Sequence, residues 1–101
     1  MMKYKIIRTE QFRKDLTYLL FVITDQYKAP LTAKRYVKGL YEKLKNLENS
    51  AGSLPYCRNK SIVERYGKNF KRFNFKKVSV IFYVEGYNVY LVSIFPAAGF
   101  F

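Results

Sequence analysis

Residues 66–96 read YGKNFKRFNFKKVSVIFYVEGYNVYLVSIFP. The first third alternates bases with aromatics. The remainder holds two apolar runs, 78–84 and 89–95, separated by Glu85-Gly86-Tyr87-Asn88. Strand side chains alternate between faces, so in the 70–75 segment Lys71, Phe73 and Phe75 face one way and Phe70, Arg72 and Asn74 the other. The run 78–84 is almost continuously apolar, as a central strand covered on at least one face would be. Gly86 and Asn88 can supply the positive φ of a hairpin turn. The stretch is predicted to be a β-meander with a positively charged leading strand.

Upstream, the chain supplies what must cover this sheet. Residues 4–8 form a short β candidate, with Tyr4, Ile6 and Ile7 as apolar bulk. Thr9 stands at an N-cap position, with Glu10 in the first turn where the helix dipole favours an acid. Phe12, Leu16, Leu19, Leu20, Ile23 and Tyr27 then recur on one face of a helix. Phe21 and Val22 broaden that face, which predicts contact from more than one side. The Lys28-Ala29-Pro30 segment breaks the pattern. A second helix carries Ala33, Val37, Leu40, Leu44 and Leu47 at spacings of four, three, four and three, with Lys34, Arg35, Lys38, Lys43 and Lys45 opposite. Residues 48–55, ENSAGSLP, read as a loop, and 56–66 as a loop with a little strand. The order is β-α-α-β-β-β. It predicts an α+β fold over a single domain, 1–101, with a helical hairpin packed on one face of a mainly antiparallel sheet.

A chain of 101 residues holds one core rather than two. Its 19 Lys+Arg against 7 Asp+Glu give a net charge of +12. Such an excess favours an acidic partner: nucleic acid, an acidic protein segment or an anionic surface. The charge is concentrated. Residues 56–77 hold eight bases and one acid, and 78–101 hold only Glu85. Cys57 is the single cysteine and there is no histidine. No internal disulfide can form, a zinc site has no ligand set, and a reducing cytoplasm is expected. No cofactor is expected. The opening MMKYKIIRTEQF has no apolar stretch behind its lysines, so no signal peptide is predicted, and the longest apolar run falls far below a membrane span.

The chain resembles the RelE/ParE superfamily of toxins from bacterial type II toxin–antitoxin modules. YKIIRTEQFRKDL is similar to that family's first strand and helix start, LYEKLKNLENS to the end of its second helix, and FKRFNFKKVSVIFYVEGYNVYLVSIFP to its three-stranded meander. The resemblance implies a growth-inhibiting cytoplasmic protein held in check by an acidic antitoxin. It implies one of two actions: ribosome-dependent cleavage of mRNA without a metal, or inhibition of DNA gyrase without enzymatic activity. A basic RNA-binding member of the fold without catalysis is the third possibility. In the nuclease members, chemistry rests on basic residues of the meander and a C-terminal Tyr or His. Lys71 and Arg72 match the basic leading strand, and Arg65 joins them as a candidate catalytic residue. The pattern departs at two places. Val80 stands where the family usually has Arg, and 95–101, FPAAGFF, carries no His.

Arginine and lysine can stabilise a crowded phosphate by charge-assisted hydrogen bonds. Proton transfer needs another group, and Tyr56, Tyr66, Tyr83, Glu64 and the nearby lysines are the candidates. Six bases fall between Arg65 and Lys77 with no acid among them. That density favours phosphate contact by Lys68, Lys76 and Lys77 over the alternative, lysines guarding an edge strand against aggregation. Arg58 and Lys60 precede the meander and could widen a phosphate groove. Tyr66 and Phe70 could stack bases, whereas Phe73 and Phe75 are expected in the core. Cys57 has no histidine to activate it and reads as a small, partly buried side chain. The apolar tail 97–101 either docks a partner or folds back on the core.

Overall fold

The computed structural model describes residues 3–27 and 30–96. The predicted break at 28–29, the side chain of Tyr27 and the tail 97–101 lie outside the described residues. The elements are β1 (Lys5–Arg8), α1 (Glu10–Tyr27), α2 (Pro30–Ser50), a 3-10 turn (Ala51–Ser53), α3 (Lys60–Tyr66), β2 (Lys71–Phe75), β3 (Val78–Glu85) and β4 (Asn88–Pro96). The strands form one sheet in the order β1-β4-β3-β2. β2, β3 and β4 pair antiparallel and β1 pairs parallel with β4. The predicted α+β order is therefore realised, with one addition, α3.

Local chemistry explains where α1 begins. The Thr9 hydroxyl accepts from the Phe12 N–H at 3.2 Å and donates to the Leu91 carbonyl at 2.7 Å. One side chain thus caps the helix and ties its start to β4. Phe12, Leu16, Leu19 and Ile23 are buried beneath it. Phe21 departs from expectation: it is 71 % exposed, and Tyr18 beside it is also exposed. Only Val22 packs partly against the core. α2 starts at Pro30, where a missing N–H costs nothing. Its buried row is Ala33, Tyr36, Leu40, Leu44 and Leu47. Tyr36 takes the inward place that the spacing assigns to Val37, and its hydroxyl donates to the Lys76 carbonyl at 3.1 Å.

The main core lies between this helical hairpin and one sheet face. Phe73, Val78, Val80, Phe82, Val89, Leu91 and Ile94 contribute from the sheet. Phe75 is half-buried against Tyr36, edge to face at 5.4 Å. Both phenylalanines sit where the alternation predicts. A bulge interrupts β4: Ile81 pairs with Ser93 and Phe82 with Leu91, leaving Val92 unmatched. The Asp15 carboxylate of α1 secures that irregularity. It accepts from the Ser93 hydroxyl at 2.7 Å and the Ile94 N–H at 3.4 Å, while Gln11 donates to its other oxygen at 2.8 Å.

Two turns differ from the sequence reading. At the β3–β4 hairpin, Gly86 has φ of +62°, but Asn88 already belongs to β4 and does not adopt positive φ. At the β2–β3 hairpin, Lys76 and Lys77 have φ of +37° and +59°. Two successive positive φ values are what a two-residue turn between twisted strands demands, and lysine has no intrinsic preference for them. Among the described residues, no helix is long and apolar enough to cross a membrane.

Candidate nucleic-acid interface

The face of the sheet turned away from the helical hairpin carries Arg72, Ser79, Ile81, Tyr83 and Tyr90. Ile81 is fully buried although it lies outside the main core. The segment before β2, which the sequence reads as a loop with a little strand, folds as α3 and lies beside Arg72, Ser79 and Phe95 of this sheet. The helix is seven residues long, too short for its apolar period to show. Its end signals are present in the sequence. The Asn59 side chain accepts from the Ile62 N–H at 3.2 Å, and Gly67, at φ of +112°, donates its N–H to the Val63 carbonyl. Asn at the N-cap and Gly past the last turn are what could have found it. Ile62 is the buried residue that seats it.

Docking α3 here creates a cleft of about 450 Å³ lined by Asn59, Ser61, Ile62, Arg65, Tyr66, Arg72, Ser79, Phe95 and Pro96. Arg65 arrives from the last turn of α3 and Arg72 from β2. Among the described residues neither guanidinium has a hydrogen-bond acceptor or a carboxylate partner; Arg65 lies 5.4 Å from the Tyr66 ring centroid. The one ion pair among the described residues, Lys14 with Glu10, is on exposed α1. Among the described residues the cleft lining contains no carboxylate. Besides the hydroxyls of Ser61 and Ser79, Tyr66 is the one group able to move a proton among its described lining residues. Ser79 is already engaged, donating to the Asn74 side chain at 2.7 Å. Chemically, the cleft can grip an anion between two planar, permanently charged forks.

Lys71 does not join this cleft. It points to the opposite face and is 5 % exposed. Its Nζ donates to the carbonyls of Ala51 and Gly52, both at 3.2 Å, and lies 4.9 Å from the Tyr56 ring centroid. Burial pushes its pKa below the ordinary lysine value. Lys71 thus ties β2 to the 3-10 turn after α2, where the Ala51 carbonyl also accepts from the Leu54 N–H. The two basic neighbours that look alike in sequence do different work.

The remaining predicted contacts are exposed and dispersed. Arg58 and Lys60 flank the capping residue Asn59, at the mouth of the cleft. Lys68 lies in the turn between α3 and β2. Lys76 and Lys77 form the β2–β3 turn, next to the Val78–Pro96 pair at one end of the cleft. Cys57 is a free, half-buried thiol, and its N–H donates to the Phe70 carbonyl at 2.8 Å.

An aromatic row continues from the cleft. Tyr66 and Phe70 have ring centroids 5.7 Å apart, Phe70 and Tyr83 5.3 Å, and Tyr83 and Tyr90 4.8 Å at an interplanar angle of 17°. The last pair is cross-strand, so register rather than sequence proximity assembles it. The chain matches no protein-family model and no curated protein.

Proposed function

We propose that this chain is the toxin of a bacterial type II toxin–antitoxin module of RelE/ParE type. It inhibits translation by gripping ribosome-bound mRNA in the Arg65–Arg72 cleft and cleaving it. The observation that carries the reading is a pair of guanidiniums on one cleft, without hydrogen-bond or carboxylate partners among the described residues, beside a row of aromatic rings. Phosphate binds the arginines, and neighbouring bases stack on the rings, as on single-stranded RNA platforms. In this scheme Arg65 and Arg72 stabilise charge on the phosphate in flight, and Tyr66 is the proton-transfer group. Lys68, Lys76, Lys77, Arg58 and Lys60 add long-range attraction. An acidic antitoxin segment neutralises the toxin by covering the same positive surface.

A second reading has its own support. The chain has no histidine, the cleft's described residues include no carboxylate, and Lys71 is committed to main-chain carbonyls. A protein that binds without cutting would need no more than this, and a ParE-like inhibitor of DNA gyrase is such a protein. Induced expression separates the two. Wild type, Arg65→Ala/Arg72→Ala and Tyr66→Phe are compared for mRNA cleavage on ribosomes and for plasmid supercoiling. The nuclease reading expects cleavage by the wild type that both variants lose. Intact mRNA with a supercoiling defect establishes the gyrase reading, and RNA binding without any growth defect leaves a basic RNA-binding protein instead.

A further inference from the structure

Beside the arginine cleft lies a second groove, of about 680 Å³, lined by Tyr56, Asn69, Phe70, Tyr83, Val84 and Glu85. Its origin is topological. β2 begins at Lys71, which pairs with Phe82, so residues 83–85 of β3 have a strand partner only on the β4 side. Tyr56 bridges to Lys71 on the edge of β2 away from β3, which sets its side chain at the rim of that gap. What remains is a slot with an open strand edge as its floor and three aromatic rings around it. Phe70 and Tyr83 meet edge to face, Tyr83 is backed by Tyr90, and Tyr56, 59 % exposed, forms the outer wall.

Two polar side chains complete the slot. Glu85 is the one acid in the 78–96 stretch. Neither it nor Asn69 has a hydrogen-bond or ionic partner among the described residues. A volume in this range is that of an ordinary small-molecule pocket, ample for a nucleoside. Aromatic walls suit a planar base, and a free carboxylate suits a base that presents two adjacent donors. Guanine presents N1–H and N2–H together. Adenine and cytosine present one amino group, and uracil presents one ring N–H.

We propose that this groove is a nucleobase subsite selective for an unpaired guanine, with Glu85 reading its N1–H and N2–H edge and Phe70, Tyr83 and Tyr56 enclosing its faces. The proposal rests on the RNA-binding reading above. The two sites are adjacent, because Tyr66 of the cleft and Phe70 of the groove have centroids 5.7 Å apart. A strand crossing both places a phosphate on Arg65 and Arg72 and the neighbouring base in the groove. The Glu85 charge repels phosphate, so the strand must turn its base edge toward this end. Electrostatics thereby sets the strand's orientation as well as the base.

The test uses three fluorescently labelled RNA hexamers: all-uridine, the same with one central guanosine, and the same with inosine in that place. Inosine keeps N1–H and lacks the N2 amine. Anisotropy titrations of the wild-type chain should give roughly tenfold tighter binding of the guanosine hexamer than of the other two. Glu85→Gln should bring the three within about twofold of one another, with all-uridine affinity the same or higher because a charge that repels phosphate is gone. Equal binding of all three hexamers by the wild type overturns the guanine subsite and leaves the RNA-binding surface standing. A guanine preference that survives Glu85→Gln overturns the role of Glu85. Binding of no hexamer at all overturns the RNA reading itself and the subsite with it.

Discussion

Lys71 and Arg72 are neighbours whose truncation should have opposite signatures. Lys71 holds the buried Ala51 carbonyl and the partly buried Gly52 carbonyl, at 3.2 Å each. A hydrogen bond from a charged group contributes about 1.5–3 kcal/mol, while the Ala51 oxygen keeps the Leu54 N–H and Gly52 is exposed, so no buried acceptor is stranded. Removing the ammonium also relieves its own desolvation, which offsets part of that loss. Lys71→Ala should therefore cost about 2–4 kcal/mol, which for a domain of this size lowers Tm by roughly 10–25 °C. Arg72 is half-buried and has no hydrogen-bond or ionic partner among the described residues. Arg72→Gln should cost less than about 0.5 kcal/mol. It should instead weaken RNA binding and reduce the slope of log K against log salt by about one.

Circular-dichroism melts and salt-dependent anisotropy read the two effects separately. A second readout comes from pH. The native pKa of Lys71 is depressed by burial, so the unfolded chain holds this proton more tightly than the native one. Wild-type stability relative to Lys71→Met should rise as pH climbs from the native pKa toward the ordinary lysine value. The reasoning fails if Lys71→Ala melts with the wild type while losing RNA affinity, or if Arg72→Gln melts early and binds RNA normally.

The other predictions concern the two irregular places in the sheet. Replacing Lys76-Lys77 by Asn-Gly puts residues that accept positive φ where the backbone demands it, and should stabilise the fold by about 1 kcal/mol in urea unfolding. An unchanged or lower urea midpoint would contradict the turn geometry. Asp15→Ala removes the acceptor that holds Ser93 and the Ile94 N–H at the β4 bulge, and should cost about 1–3 kcal/mol; a neutral result would mean that water replaces the carboxylate there.

The parts of the fold legible in the sequence are those governed by local rules. Thr9 announces the start of α1 because a cap needs only the next three residues. The burial of Leu40, Leu44 and Leu47 follows from a helical period. The opposed faces of Phe73 and Arg72 follow from the alternation of a strand. These patterns determine the β-α-α-β-β-β order and its basic leading strand without knowledge of any distant contact. Tyr36 shows the limit of such rules, since a stripe defined to within one residue leaves the helix's final rotation to the sheet beneath it.

The stretch from Tyr66 to Pro96 carries both outcomes. Its apolar alternation and charge density are properties of the chain itself, and they determined that a basic meander would form. Which of its bases faces solvent was decided only by the tertiary structure. Lys71 and Arg72 are equivalent in charge and adjacent in sequence. The acceptors that claim Lys71 lie about twenty residues upstream, at the end of α2. The cleft that gathers Arg65 with Arg72 exists because a seven-residue helix, marked only by Asn59 and Gly67, packs Ile62 onto the sheet. Local periodicity encodes faces, and long-range partners decide which face becomes a site.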